Sequence, residues 1–482
     1  METLAQLADT EEYRDHLSTV DESGKRIWVY PKKPRGAFYN KRLLFSVFLL
    51  SLFFVTPFIQ YHGRPLFLFN IFERKFVFFG TLFMPQDFHL VALGLITFFV
   101  FVILFTVVFG RLWCGWACPQ TLFMEIVFRR IEYWIEGDAN QQRKLNQQPW
   151  NQEKILKKGT KFTVFGIISV LIAHTAMAYL VGMDTVIKLV THSPSHNWAG
   201  FIGLVAFTVV FFGVFTYLRE QACIAICPYG RLQGVLLGKD SIVIAYDYVR
   251  GEPRGKLKRK ENKLADEHLT LNDFIKPQGD CIDCKLCVQV CPTGIDIRNG
   301  TQLECVNCTA CIDACDEVMD KIEKPRGLIR YASFNNIANS QAFKFTPRII
   351  AYSMVLVALL SLDAFLLLNR EPLHATMLKV RGTLYQEMPN GNVANMYEVN
   401  LVNKTDQPII ITDFKIANKK GGNAKIAGNQ VVVKGGESTT AVVVVELPKN
   451  QLDGIKTKVN IDIWSGSKKM TTKTVNFLGD KE

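Results

Sequence analysis

No cysteine in this chain stands outside a motif. All twelve fall into four spaced groups, 114/118, 223/227, 281/284/287/291 and 305/308/311/315. Each thiol is therefore to be explained by its spacing rather than as stray core filling. No CxxCH stretch occurs, which excludes covalent haem attachment through that motif, and no threonine-centred flavin-attachment motif is present. A cleavable signal peptide is not expected either. The first 40 residues are polar and end in Lys32, Lys33, Arg35, Lys41 and Arg42.

What the chain has in excess is apolar length. It is 49% hydrophobic over 482 residues, with 35 Phe. The runs 44–59, 90–110, 162–182, 201–218 and 349–368 each approach the roughly 20 residues that cross a bilayer core. Five transmembrane helices are predicted. A further apolar run, LFLFNIFERKFVFFGTLFM (66–84), carries Glu73, Arg74 and Lys75 at its centre. Consecutive charges at mid-bilayer are expensive, so this run is expected to be interfacial or re-entrant.

Lysine and arginine set the expected orientation. The N-terminal end is basic. So are the loop after the second helix (Arg129, Arg130, Arg143, Lys144, Lys154, Lys157, Lys158, Lys161) and the segment after the fourth (Arg250, Arg254, Lys256, Lys258, Arg259, Lys260). The loop between helices three and four holds one lysine, Lys188. Five crossings from a cytoplasmic start place the C-terminus outside. The net charge of +12 then reads as topology, not as nucleic-acid binding. By this topology no cysteine lies outside the membrane, so a secreted disulfide framework is not expected.

The middle segment reads CIDCKLCVQVCP (281–292) and CVNCTACIDAC (305–315), each C-x2-C-x2-C-x3-C. This is the spacing of a two-cluster bacterial ferredoxin. Closely spaced cysteines wrap three corners of a [4Fe–4S] cube, and the fourth reaches across to the other cube. Cys281, Cys284, Cys287 and Cys315 are expected to hold one cluster, and Cys305, Cys308, Cys311 and Cys291 the other. Zinc ribbons separate their CxxC pairs by longer loops, which argues against paired zinc sites. The segment lies between helices four and five, where a cytoplasmic electron donor would load it.

The other cysteines form two copies of one pattern, RLWCGWACPQ (111–120) and QACIAICPYG (221–230). If the helix runs through each, Cys114 with Cys118 and Cys223 with Cys227 share a face at i,i+4. Pro119 and Pro228 would kink or end those helices. Brought together, the pairs make a four-thiolate site at the cytoplasmic ends of helices two and four. Thiolates select Cu(I) or iron–sulfur centres. A redox-active pair and plain burial are the other readings.

Weaker candidates are His192 and His196 in the loop between helices three and four, as copper ligands or solvated residues, and Asp363 inside the last apolar run. His174 in helix three reads as a hydrogen-bonded packing residue. From about residue 371 the pattern alternates apolar and polar in short segments, such as MYEVNLVNKT and TKVNIDIWSG, divided by Gly, Asn, Pro and Asp. Roughly seven strands in about 110 residues predict an immunoglobulin-like β-sandwich suited to docking a partner.

Taken in order, these motifs resemble the CcoG family (also called FixG or RdxA), accessory proteins for assembly of cbb3-type cytochrome c oxidase. The likeness runs through WVYPKKPRGAFYNKR, FMPQDF, RLWCGWACPQT, IEYWIEGD, REQACIAICPYGRLQG, YDYVRGEPRGK, GDCIDCKLCVQVCPTGIDIR and the β-sandwich tail. It implies a bacterial inner-membrane oxidoreductase that reduces Cu(II) to Cu(I), with two [4Fe–4S] clusters as cofactors and copper as substrate or transient ligand. Copper chaperones and oxidase assembly factors are the implied partners; the cytoplasmic electron donor is not named by the sequence, and a homo-oligomer is one of the oligomeric states it leaves open. Cys114, Cys118, Cys223 and Cys227 stand either as the copper-reducing site or as holders of a further redox centre. Rival readings are an electron conduit to a periplasmic reductase and a non-catalytic assembly scaffold.

The expected architecture is thus a multi-domain membrane protein. Residues 1–40 form a cytoplasmic segment and 41–240 a four-helix membrane domain with both CxxxCP motifs. Residues 241–345 form the inserted dicluster ferredoxin-like domain, 346–370 the fifth transmembrane helix and 371–482 the periplasmic sandwich.

Overall fold

A computed structural model describes residues 19–480, apart from 22, 62, 257–277, 343, 383, 390 and 429. Of the basic residues used to orient the chain, Lys258, Arg259 and Lys260 lie outside the described residues. Among those described, five helices are long and apolar enough to cross a membrane: Ala37–Phe58, Pro85–Phe109, Gln152–Val181, Trp198–Leu218 and Pro347–Leu368. They coincide with the five runs expected from hydropathy. The chain divides into two compact units. One comprises Met1–Thr56, Thr97–Ala178 and Met183–Ala358, the other Pro57–Ile96, Tyr179–Gly182 and Leu359–Glu482.

In the first unit, the chain stays helical after Cys118. It runs through Pro119–Leu122, a π-helical turn Phe123–Phe128, and Arg129–Ile135. The apolar face of this stretch, Phe123, Met124 and Phe128, is buried against Phe165, Ile172 and Phe215. The Phe128 ring stacks on Phe215 at 4.5 Å and meets Phe165 edge-on at 4.7 Å. Such pairs add about 0.5–1.5 kcal/mol each beyond their burial. The short strand Val243–Tyr246 pairs antiparallel with Ile329–Ala332, which closes the two ends of the ferredoxin-like segment on each other. Ile244, Ile295, Ile297, Ile312, Met319 and Leu328 form its core. Its helix Ala310–Lys321 carries Asp313, whose carboxylate accepts the backbone N–H of Phe38 at 3.1 Å and of Tyr39 at 2.7 Å. A residue of the ferredoxin-like segment thereby satisfies the open amides of the first apolar helix.

The second unit contains a small sheet and a large one. The apolar run 66–84, expected to be interfacial or re-entrant, is built of strands rather than a helix. It forms three antiparallel strands, β1 (Phe67–Asn70), β2 (Lys75–Phe78) and β3 (Thr81–Phe83). Aromatic and β-branched residues favour strands. The three charges that disfavoured a helix fall at and beside the β1–β2 turn, where the Asn70 side chain accepts the Glu73 N–H at 2.9 Å and Arg74 adopts φ 54°. Val77, Leu82 and Met84 pack with Val402 of the large sheet. Beside them the carboxylate of Asp87, itself buried, binds Arg370 at 2.6 Å and Lys404.

The large sheet is built from β4 (Leu373–Lys379), β5 (Asn392–Asn403), β7 (Asp413–Ile416), β8 (Asn423–Ile426), β10 (Ser438–Pro448), β11 (Lys456–Ser465) and β12 (Lys468–Leu478). Their order is β12-β11-β7-β8-β10-β5-β4, with Gln386–Glu387 added on β5. A separate pair, β6 (Ile409–Ile411) and β9 (Val431–Val433), completes the immunoglobulin-like fold. The longest pairing sets Asn392 opposite Pro448 and runs to Val402 opposite Ser438. Inward residues alternate along each strand, and Val393, Tyr397, Val399, Val443, Val445 and Ile461 fill the core.

Candidate metal centre

Two small cavities in the ferredoxin-like segment are lined by thiols. One is bounded by Cys281, Cys284, Cys287 and Cys315. The other is bounded by Cys291, Cys305, Cys308 and Cys311, with Cys287 at its edge. The loops around them repeat one conformation. Asp283 and Lys285 flank Cys284 with φ of 51° and 56°, and Asn307 and Thr309 flank Cys308 with φ of 53° and 68°. Left-handed backbone at a non-glycine residue costs of order 1–3 kcal/mol and survives only where its surroundings over-determine it. Here it coils each loop so that thiols two residues apart face one cavity. Arg298 clips the first loop to the chain behind it, binding Asp296 at 2.6 Å and Asp283 at 2.5 Å.

The thiols suit a cluster. The donors are all sulfur, and therefore soft. Burial pushes Cys287, Cys308 and Cys315 up to about 12 and Cys305 up to about 11. Such thiols give up their protons to a bound cationic core. No three His, Cys, Asp or Glu side chains among the described residues close on one point as the ligands of a single ion do. The residues fit two [4Fe–4S] clusters, which when bound take up and release single electrons. Cys284 is exposed, whereas Cys281, Cys287 and Cys308 are buried. The first cavity thus meets solvent.

The paired thiols are arranged differently from a continuous helix. Leu112–Trp116 is helical, Ala117 leaves the helix, and Cys118 is extended (φ −65°, ψ 123°) with Pro119 opening the next helix. Cys227 repeats this (φ −68°, ψ 113°), with Pro228 opening Pro228–Leu236. Proline at the first helical position loses no hydrogen bond. The members of each pair therefore lie on either side of a chain break, not on one helical face.

The structure brings the two pairs together. Gln233, from the helix after the second motif, donates its Nε2–H to Cys114 Sγ at 3.2 Å. Burial raises the Cys114 thiol to about 11, with the neighbouring Cys118 and Cys227 adding to it. Burial raises Cys223 to about 12, with Cys118, Cys114 and Cys227 adding to it. Gly230 lets its helix approach, since a Cβ there would stand 2.5 Å from the Cys223 carbonyl oxygen.

This four-thiol site touches the ferredoxin-like segment directly. Arg111 is 5% exposed. Its guanidinium donates to the carbonyls of Leu303, of Cys305 at 3.3 Å, and of Gly230. One cation thus ties the first motif, the second motif and the second cysteine loop. Gly115, between Cys114 and Cys118, lies against that loop: a Cβ would clash with Asn307 O and stand 2.6 Å from Val306 O. Arg42, buried, donates its Nε–H to Gly115 O at 2.7 Å. Trp116 donates its indole N–H to Tyr331 OH at 3.1 Å.

Sequence reasoning missed a buried ionic lattice next to this site. Arg219 binds Glu132 at 2.7 Å, and Lys161 binds Glu132 at 3.4 Å and Glu136 at 2.9 Å. Arg129 binds Glu125 at 3.1 Å and Glu220 at 3.5 Å, and Arg26 reaches Glu220 at 2.6 Å. Arg219 has φ 52° and stands four residues before Cys223. Glu132 therefore clamps the turn that leads into the second thiol pair. The charge-rich IEYWIEGD and REQ stretches were the available signal, but nothing local in either pairs one with the other.

The remaining candidates lie elsewhere. His192 and His196 have ring centroids 6.0 Å apart and line one cavity with Lys188 and Asn197. His174 Nδ1 bonds Val170 O of its own helix at 2.7 Å. Asp363 lies within the helix Pro347–Leu368.

Residues 218–334 match the family model of a 4Fe-4S dicluster domain, and 91–138 that of a 4Fe-4S binding domain. Residues 364–480 match the immunoglobulin-like fold at the C-terminus of FixG. Protein RdxB of Cereibacter sphaeroides is 36% identical over 395 residues, covering 79% of this chain and 80% of that protein. The chain belongs to the FixG/RdxA family. The nitrogen fixation protein FixG of Rhizobium meliloti is 31% identical over 477 residues, covering 89% of this chain and 88% of its own length. A crystal structure of a FixG-related protein from Vibrio parahaemolyticus aligns with 23% of the chain at 21% identity and a TM-score of 0.18, covering 97% of that chain. Membership accounts for the order of cysteine motifs and marks the chain as an iron–sulfur electron-transfer protein.

Proposed function

We propose that this FixG-family chain is a membrane cupric reductase, feeding Cu(I) to chaperones that fill the copper site of a cbb3-type cytochrome c oxidase. The observation that carries the proposal is the packing of the four paired thiols on the second cysteine loop, through Gly115 against Val306 and Asn307. A soft site adjoining an electron carrier is suited to this substrate. Cu(II) prefers nitrogen and oxygen ligands, whereas Cu(I) prefers sulfur, so thiols favour the reduced ion.

Each residue set has a part. Exposed Cys284 presents the first cavity to a one-electron donor in the cytoplasm. The loop between Cys305 and Cys308 packs through Val306 and Asn307 on the motif loop that carries Cys114 and Cys118. The thiols of Cys114, Cys118, Cys223 and Cys227 form the outlet. One electron from the donor converts one Cu(II) to one Cu(I), with no proton consumed. The bilayer orientation proposed with this has the cysteine sets on the cytoplasmic side of a bacterial inner membrane and the immunoglobulin-like domain in the periplasm.

The test compares full-length wild type with Cys114→Ser/Cys227→Ser, both in detergent under anaerobic conditions with a chemical reductant. Cu(I) captured by a chelator is expected to fall to the level of the protein-free control in the variant, while the dicluster absorbance persists. Undiminished Cu(I) in the variant would remove the thiols from the reaction. Cu(II) left unreduced by wild type would leave the chain as a conduit or a scaffold.

A further inference from the structure

We infer that Arg42 and Arg111 hold the cluster of the second cavity at a higher reduction potential than that of the first, so that an electron entering beside Cys284 comes to rest next to the paired thiols. The inference rests on the reading of those thiols as the outlet for its role, but not for its test.

Both arginines are buried cations without a carboxylate partner. Arg42, in the helix Ala37–Val55, is 3% exposed, and Arg111 is 5% exposed. Arg42 lines a small cavity together with Cys308. Its Nε–H goes to Gly115 O, and its Nη2 is buried with no partner among the described residues. Arg111 directs its donors to the carbonyls of Leu303, Cys305 and Gly230. Two acidic groups stand on the same side. Glu125 lines the Arg42 cavity but is bound by Arg129 at 3.1 Å. Buried Glu304 precedes Cys305 and opposes one of the two cations. A net positive charge remains beside the second cavity.

The first cavity is surrounded by matched charges. Arg298 lines it but is bound by Asp296 at 2.6 Å and Asp283 at 2.5 Å. Asp280, directly before Cys281, takes Arg250 at 2.5 Å and Lys324 at 2.8 Å. Lys285 follows Cys284, and Asp316 follows Cys315.

This difference sets the direction of transfer. Reduction adds one negative charge to a cluster, and its potential follows local charge, hydrogen bonding and solvent exposure. Solvent alone would favour the first cavity, where Cys284 is exposed, over the second, where Cys308 is buried. An electron would then stay at the entrance. Two unpaired cations act the other way, and their attraction is screened least where water is excluded. Transfer moves one electron: the first cluster is oxidised, the second is reduced, no proton moves and no bond breaks.

The experiment is an anaerobic potentiometric titration of the full-length protein in detergent, read by the paramagnetic spectra of the reduced clusters. Wild type is expected to show two resolved one-electron waves. Arg111→Gln and Arg42→Gln should each lower the upper wave by at least about 59 mV, a tenfold change for one electron, and leave the lower wave in place. Arg111→Lys keeps the charge and should hold the upper wave near its wild-type position, which a role in packing alone would not do. Iron at about eight atoms per chain identifies the variants whose clusters are intact, and Arg42→Gln reads the same effect from a different helix if Arg111→Gln loses iron. A single unresolved wave in wild type overturns the inference. So does an upper wave that both glutamine exchanges leave in place, or one that Arg111→Lys moves as far as Arg111→Gln. No copper enters the titration, so a failure here is distinct from a failed reductase reading.

Discussion

Replacing Gly115 by valine is expected to disconnect the paired thiols from the ferredoxin-like segment while leaving both in place. A Cβ at this position meets the Asn307 and Val306 carbonyl oxygens, and both belong to backbone that cannot rotate away. Overpacking of this kind costs about 1–3 kcal/mol. The loop between Cys114 and Cys118 would have to lift from the second cysteine loop, straining the Arg42 bond to Gly115 O as it does so. Displacing a positioned site by about 1 Å can lower its rate on the order of a hundredfold. The expected result is a large fall in Cu(I) formation with the dicluster spectrum unchanged. The reduced protein should still be oxidised at its ordinary rate by a small soluble oxidant, which reaches the exposed Cys284 side directly. An unaltered copper rate in Gly115→Val would show that electrons leave by another path.

The second large effect is expected from Glu132→Ala. Glu132 is 2% exposed and faces Arg219 and Lys161, both nearly as buried. Removing one partner of a buried ion pair costs about 3–5 kcal/mol, because the cation left behind is neither solvated nor paired. Here it leaves two. The thermal midpoint of the detergent-solubilised protein should drop by many degrees, as followed by intrinsic fluorescence. Arg219 would also lose the clamp on its left-handed turn, so the second thiol pair should be lost before the dicluster. An unchanged midpoint would mean that the lattice is hydrated rather than buried.

Much of this architecture was legible in the residues. Apolar runs report a bilayer directly, because the cost of charge in hydrocarbon leaves little latitude. The C-x2-C-x2-C-x3-C repeats are legible for a similar reason, since the cube dictates the spacing. Period-two alternation marked the β-rich tail, although the count of strands came out higher than the roughly seven expected. Three features were not legible. The charges in the run 66–84 argued against a spanning helix, but not for the small sheet that its aromatic and β-branched residues form against Val402. The shared face of the CxxxCP cysteines was conditional on a helix running through each motif; the prolines end it instead, and each opens a new helix directly after the second cysteine. Contacts between Gly115 and Val306, or between Arg219 and Glu132, join residues far apart in the chain. No local pattern encodes such pairs.

The central claim is that electrons held by the cysteine sets reach Cu(II). A single turnover tests it most directly. The purified full-length protein is reduced anaerobically, freed of excess reductant, and mixed with Cu(II) while cluster absorbance and Cu(I) capture are followed together. The account predicts that Cu(I) appears in step with cluster oxidation, one Cu(I) for each electron lost. Clusters that stay reduced in the presence of Cu(II) would contradict it.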